Sequence, residues 1–555
     1  MKEQMRRIIF FSKRIIALAL AITALTGVSL TSAAPWRFGV MSDTQWTIAT
    51  DPAGKNPNGV SVSIIDQLTQ QFLIHDVKFV IQVGDLTEDG NDADVAVRAG
   101  AAQPLYNAGI GFYPMRGNHE TYSTTPNNFG ITQFRASFTQ TQGTSNTFGA
   151  KNFSSPTSVS ADLTGMSYSF DYGEAGNNAR FVIIDDWVTP SKEVVAAGYH
   201  YGYSVGDQQA WISSRLDKNT RGTGHAFVFS HQNLMGENHQ DSLFTGYTNA
   251  NPDMQNAFFA SLQDNGVGYY ISGHDHIHQR SIIASPDGNS EARQIICASN
   301  SSKFYTPKSL TDANWFGQKT RETALSQELY TVGYYIFTVD GPCVTVDYYS
   351  DTHGNWKSDG NYPNGSGQPD TGITPTFFFV KKETWGYCQN GKEFLVVSGG
   401  SYDIVEDIFA GTTARILDGT NTSAARDYND RALTKAVNTG WFPKTPCTAS
   451  NVFKLKGMAG LGTSHTDTYA LSMSYDPKGL KTADLKKGLI GLATQVENCN
   501  WVNAVDLNSG GSKQFILGPW NPSYGLGTYG IDQKTKTAWA VINHNGDFAV
   551  ARIGE

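Results

Sequence analysis

Cysteine is scarce in this chain, five among 555 residues, and no two of them form a CxxC pair. That spacing excludes a zinc ribbon or a dithiol redox motif. A surplus of basic residues is also missing: 42 Lys and Arg stand against 50 Asp and Glu, a formal net charge of -8. A protein that coats nucleic acid draws on excess cations for the phosphates, so that role is excluded, while a small phosphoester ligand is not. Long apolar runs are few. The conspicuous one, Ile15 to Val28, falls short of the ~20 residues of a spanning helix. It follows Lys2, Arg6, Arg7, Lys13 and Arg14 and precedes Thr31-Ser32-Ala33-Ala34. A basic head, a short apolar middle and a small-residue end are the layout of a secretory signal peptide. Residues 1–34 are therefore set aside, and a secreted or periplasmic protein with no membrane-spanning segment after cleavage is expected. Export permits a disulfide, with Cys447–Cys499 or Cys388 to either as candidates, and the odd count leaves a thiol over.

What remains is globular in composition, with 39% hydrophobic and 17% charged residues. The length exceeds what one core organises, so two or three domains are expected. Residues 35–350 alternate short apolar runs with helical spacing, the pattern of a layered α/β domain. Strands are predicted at Arg37 to Met41, Phe79 to Val83, Gly111 to Met115, Arg180 to Asp185, His225 to Ser230 and Val267 to Ser272. A helix is predicted over Val60 to His75, where Val60, Ile64, Leu68 and Phe72 share a face. Val332 to Val339 and Cys343 to Tyr349 read as a hairpin turning at Asp340-Gly341. Residues 351–375 turn to Gly, Asn, Asp, Ser and Pro, a linker or long loop. Residues 376–555 carry strand-sized runs between turn signals and read as a C-terminal all-β domain. Gly460-Leu461-Gly462-Thr463 recurs there as Gly525-Leu526-Gly527-Thr528, a weak sign of a repeat. Trp385, Trp441, Trp501, Trp520 and Trp539 either fill its core or stack on a cell-surface or polysaccharide ligand, and the core is favoured.

The chemistry lies at the strand ends. Predicted strands end in, or lead into, Asp43, Asp85, Asn118, His231 and the pair His274 and His276. In open α/β sheets, sites form outside the carboxyl ends of the strands, so chain-distant residues there converge. Gly84, Gly117 and Gly273 precede Asp85, Asn118 and His274 and allow close backbone approach. Taken singly, each polar residue is a turn former, a helix cap or a buried imidazole. Together, in this order, they point to a metal site.

The motifs Ser42-Asp43-Thr44-Gln45, Gly84-Asp85, Gly117-Asn118-His119-Glu120, His231 and Gly273-His274-Asp275-His276 resemble those of the calcineurin-like metallophosphoesterase superfamily, which includes purple acid phosphatases. Gln208-Gln209-Ala210-Trp211-Ile212 resembles the helix between its third and fourth motifs. The resemblance covers about residues 36–350 and implies a metallophosphoesterase-type β-sandwich flanked by helices. It implies two divalent metal ions (Mn, Fe or Zn) and hydrolysis of phosphomono- or diesters by a metal-bridging hydroxide. Asp85 would bridge the metals, with Asp43 and His276 on one and Asn118, His231 and His274 on the other. His119 would be catalytic together with Asp85, protonating the leaving oxygen, and Glu120 would orient it. Gln45 replaces the His usual in the first motif, as a weaker metal ligand or a hydrogen-bonding group. Glu88 stands where purple acid phosphatases carry Tyr, so no iron–tyrosinate centre is expected.

His278 is expected to face solvent rather than substrate, His239 to be a plain loop residue rather than a phosphate contact, and Asp185 and Asp186 to cap a strand. Arg116 contacts phosphate or neutralises nearby acids, and His465 and His544 are structural. The alternative to an enzyme is a secreted metal-binding or surface protein with a degenerate phosphoesterase fold, which Gln45 favours.

Overall fold

The computed structural model describes residues 34–121, 130–189, 202–244, 246–247, 250–309, 319–351, 366–367, 372–389, 397–398, 401–402, 404–406, 412–418, 438–442, 444–456, 465–466, 468–497 and 500–554. The expected signal peptide, most of the expected linker and the first copy of the Gly-Leu-Gly-Thr recurrence lie outside the described residues.

Fourteen strands build two facing sheets. In chain order they are β1 (Trp36–Met41), β2 (Phe79–Gln82), β3 (Gly111–Pro114), β4 (Lys151–Ser154), β5 (Tyr168–Glu174), β6 (Asn177–Ile184) and β7 (His225–Ser230). There follow β8 (Tyr270–Ser272), β9 (His278–Ala284), β10 (Glu291–Ile296), β11 (Glu322–Glu328), β12 (Gly333–Asp340), β13 (Cys343–Asp351) and β14 (Phe379–Cys388). The first sheet runs β14-β13-β12-β1-β2-β3 and the second β11-β9-β10-β8-β7-β6-β5-β4. β1, β2 and β3 are parallel, as are β6, β7, β8 and β10.

Strand alternation explains the layering. Phe38, Phe79, Ile81, Phe337 and Val346 of the first sheet meet Phe170, Phe181, Phe227, Phe229 and Ile271 of the second in one core. Phe38 lies 4.6 Å from Phe337, near-parallel, and 5.0 Å from Phe181, edge to face. The alternate residues Met41, Val80, Tyr334 and Ile336 face outward and pack on Ile64, Leu68 and Phe72 of α1 (Val62–Ile74). Val182, Ile184, Ala226 and Val228 turn the other way, onto α2 (Val205–Leu216) and α3 (Pro252–Asp264). α2 opens with a Ser204–Asp207 capping box, which satisfies otherwise orphaned amides. Its Gln208 is buried and bonds to Ser167 and the Asp185 carbonyl. The predicted strands, the 340–341 hairpin and the α1 helix are all present, with ends within three residues of those expected.

The C-terminal region is β-rich, with a six-stranded sheet spanning 404–542 and a five-stranded sheet spanning 438–552 among the described residues. Leu471, Met473, Leu492, Ile531, Ala540, Phe548 and Val550 fill the space between them. Trp501 and Trp539 are buried here, which suits a core role. Trp385 is buried too, but between the first two sheets, because β14 pairs with β13 over nine positions, Cys343↔Cys388 to Asp351↔Phe379. A run placed by sequence in the C-terminal domain thus completes the first sheet. Cys447 is exposed and free, against its expected pairing, and Cys499 lies outside the described residues.

β14 is also tied to the second sheet. Glu383 accepts from Arg280 Nε at 3.0 Å and from the Ser326 hydroxyl, and the Arg280 guanidinium lies 4.1 Å over the Trp385 ring. Burial opposes ionisation of Glu383, but Arg280 and His278 outweigh it and hold the carboxyl at about 2. A folded pKa below the unfolded one gives stability that is present above about pH 4.5 and lost as pH falls through about 2. Glu383→Gln is expected to cost about 3–5 kcal/mol at pH 7, because it strands a buried guanidinium. Urea melts at pH 7 check this.

Candidate metal centre

The parallel strands deliver their carboxyl ends to one edge of the sandwich. Asp43 follows β1, Asp85 follows β2, Asn118 follows β3, His231 follows β7, and His274 and His276 follow β8. Asp43, Asp85, His274 and His276 all have left-handed backbones, with φ of 46°, 44°, 72° and 52°. Non-glycine residues rarely adopt that region, and such strain gathers where a site dictates side-chain direction. A Cβ at Gly117 would collide with the Asp85 carboxylate, and one at Gly273 with the Ser42 hydroxyl. Both glycines are there for close approach.

The side chains form two groups that share one carboxylate. Ligand atoms of Asp85, His231 and His274 lie within 4.8 Å of one another, as do those of Asp43, Asp85 and His276. His231 Nε2 is 3.2 Å from Asp85 Oδ2, and His276 Nε2 is 3.4 Å from Asp43 Oδ1. The far side of each ring is fixed: His231 Nδ1–H donates to the Val83 carbonyl and His276 Nδ1–H to the Lys303 carbonyl, both at 2.8 Å. A carbonyl only accepts, so in the neutral form of both rings Nε2 is the bare, metal-competent nitrogen. His231 Nε2, His274 Nε2, Asn118 Oδ1 and Gln45 Oε1 are buried and find no hydrogen-bond partner among the described residues. Buried polar atoms are normally satisfied. Four orphaned lone-pair donors around one shared carboxylate fit a pair of cations.

The charges agree. Burial raises Asp43 to about 7, against the His231 charge. Burial would raise Asp85 as well, but His231 and His119 hold it well below the carboxylate range. Burial pulls His231 down, yet Asp85 outweighs it and lifts the ring to about 10. His274 and His276 are both lowered, chiefly by burial. For His119, Asp85 and Glu88 together outweigh burial and raise the ring.

Other assignments change. Gln45 Nε2 donates to Asp85 Oδ2 at 2.8 Å and so props the shared carboxylate, while its orphaned Oε1 leaves the expected weak-ligand role open. Glu120 does not orient His119: its carboxylate accepts from the Thr87 and Gly117 amides at 3.0 and 2.8 Å. His119 instead bonds through Nδ1 to the Glu88 carbonyl. His239 is not a plain loop residue, since its Nδ1 is 2.8 Å from Asp275 Oδ1 and its ring centroid 3.9 Å from that of His274. His278 does not face solvent: it is buried, stacked on Tyr348 at 3.9 Å and bonded to the Tyr335 hydroxyl. Arg116 forms a buried two-point pair with Asp185 at 2.8 and 2.9 Å, so it neutralises rather than reaching phosphate. His544 is structural, bonded to the Ala504 carbonyl.

Asp275, Asp241 and Lys303 were missed. Asp275 accepts from the amides of Glu237, Asn238 and His239 and pins that loop beside the centre. Its place between His274 and His276 was the available signal. Asp241 lies 3.5 Å from His274 Nε2, and neither it nor Lys303 has any sequence signature.

Sandwich and ligand set define the class, a metallophosphoesterase domain. Residues 37–278 match the Metallophos family model, calcineurin-like phosphoesterase. Among solved structures, a dimetal phosphatase from Danio rerio is 16% identical, over 56% of this chain and 95% of that one, at a TM-score of 0.34. Purple acid phosphatase PPD1 from yellow lupin seeds is 14% identical, over 60% and 53%, at 0.37. GAP50, the anchor in the inner membrane complex of Plasmodium, is 15% identical, over 62% and 90%, at 0.34. No curated protein matches the chain.

Proposed function

We propose that this protein is an exported hydrolase of phosphomono- or diesters working at a binuclear metal centre. The observation that carries this reading is the single carboxylate of Asp85 shared between two buried ligand groups. Asp43 and His276 would complete one metal position, and Asn118, His231 and His274 the other. Bound divalent cations supply Lewis acidity toward phosphoryl oxygens and acidify water. A mixed N/O donor set suits Mn, Fe or Zn better than Ca.

The chain's own groups supply the rest. His119 is held by its backbone amide, 3.1 Å from Asp85 Oδ1, and by Nδ1 on the Glu88 carbonyl. Its Nε2 lies 3.9 Å from Asp85 Oδ2, and its side chain keeps 14% of its surface exposed where the Asp85 carboxylate keeps 2%. That placement lets Nε2 carry a proton to the departing ester oxygen, the work of a general acid. Gln45 and the Ser42 hydroxyl fix the carboxylates of Asp85 and Asp43, so the ligands are pre-oriented.

Export rests on the N-terminal sequence layout. Among the described residues, no helix is long and apolar enough to cross a membrane. Hydrolysis of p-nitrophenyl phosphate and bis-p-nitrophenyl phosphate by the purified chain with added Mn tests the enzyme. Turnover of at least one ester is expected. No turnover with Mn, Fe or Zn would favour the alternative of a secreted binding protein on a degenerate phosphoesterase fold.

A further inference from the structure

Lys303 has no part in the centre as described, yet it stands against it. Its carbonyl holds His276 Nδ1 at 2.8 Å, which anchors the base of its side chain at the metal ligands. Its Nζ lies 4.9 Å from the centroid of the Tyr305 ring. That ring packs edge-on against His276 at 5.0 Å and against His239 at 4.7 Å. The ammonium therefore sits on the wall formed by one metal ligand and one flanking imidazole. Lys303 is half-buried and enters no ion pair among the described residues. The carboxylates whose charge it feels are Glu88 and Asp85, both at the centre, and its own charge acts on His119 and His276.

A cation left without a carboxylate partner at the edge of a phosphoester site has an obvious use. Lysine serves as a mobile point charge toward phosphoryl oxygens. A phosphomonoester presents two negative charges at neutral pH and three non-bridging oxygens. A diester presents one charge and two such oxygens, with a second organic group in the remaining place. A wall ammonium thus gains more from the monoester, on charge and on space.

We infer that Lys303 Nζ binds a non-bridging phosphoryl oxygen of the substrate and biases the site toward dianionic phosphomonoesters over diesters. This rests on the metallophosphoesterase reading above. A purely structural lysine, propping Tyr305, would instead affect both ester types alike.

The test uses the full chain with Mn and three variants: Lys303→Met, Lys303→Gln and Lys303→Arg. Metal content is measured first, as the check that the centre is intact. Inorganic phosphate affinity is then measured by calorimetry, and kcat/KM for p-nitrophenyl phosphate and bis-p-nitrophenyl phosphate by absorbance. Met and Gln are expected to keep the metals, to weaken phosphate binding by about 10–100-fold, and to lower monoester kcat/KM by a similar factor, the range of one lost charged hydrogen bond. Diester kcat/KM should change little, and Arg should recover most of the loss. Unchanged phosphate affinity with an unchanged monoester-to-diester ratio would overturn the inference, as would an equal fall for both esters. If the wild-type chain binds metal but hydrolyses neither ester, the enzyme reading fails alone, and the phosphate affinities still decide Lys303.

Discussion

Asp85→Asn is expected to empty both metal positions and to remove hydrolysis together. The carboxylate belongs to both ligand groups, so nothing else in the centre can compensate for it. Its two oxygens are already engaged on the protein side: Oδ1 takes the His119 amide at 3.1 Å and Oδ2 takes Gln45 Nε2 at 2.8 Å. An amide at this position offers one acceptor oxygen instead of two. Its NH2 would meet the His119 amide, donor against donor, or force the Gln45 amide to turn its oxygen inward. The change also removes the charge that lifts His231 to about 10. Outer partners of metal ligands alone are worth about 10–100-fold in affinity or activity, so loss of the shared ligand should exceed about 1,000-fold. Inductively coupled plasma mass spectrometry of the purified variant, beside its rate on p-nitrophenyl phosphate, reads both effects.

His119→Ala is the contrasting case. No ligand group includes His119, and its ring is positioned by the Glu88 carbonyl rather than by the metal ligands. The variant should hold its metals and still lose about 10²–10⁴-fold in turnover, the range for a positioned proton donor. The size of the loss should follow the leaving group. p-Nitrophenolate departs readily without a proton, so its ester should sit at the low end of that range. An alkyl phosphate, whose alkoxide needs the proton, should sit at the high end. Rates of His119→Ala on both esters, with metal content measured in parallel, check the assignment. A uniform loss, or a loss of metal, would place His119 in a structural role.

The site was legible from the sequence to the extent that strand ends announce it. Short apolar runs such as Phe79–Gln82 cannot be mistaken for helices when a Gly-Asp pair follows, and parallel strands carry such pairs to one edge. The left-handed backbones at Asp43, Asp85, His274 and His276 explain why glycines crowd the same motifs: the chain must turn tightly there and its neighbours must come close.

Contacts between loops were not legible, because sequence adjacency says little about direction. Glu120 follows His119, but the 3-10 turn over His119–Thr121 sends the two side chains apart, Glu120 to Thr87 and His119 to Glu88. Alternation with His274 and His276 left His278 between substrate and water, with water preferred. The sandwich buries both faces of β9, so the ring stacks on Tyr348 instead. Lys303 lies in an irregular segment, and Asp241 opens a two-residue strand too short for periodicity to carry a signal. β14 shows the same limit at the scale of a sheet. A strand-sized run states its length and faces, whereas its partner, here β13, is chosen by packing such as that of its own Trp385 on Arg280, far back along the chain.

Crystals of the full chain grown with Mn, measured at a wavelength where Mn scatters anomalously, test the centre most directly. Two anomalous peaks roughly 3.5–4 Å apart should flank the Asp85 carboxylate, one beside Asp43 and His276 and the other beside His231 and His274. Mn found only away from Asp85, or no peak at saturating Mn, would contradict the account.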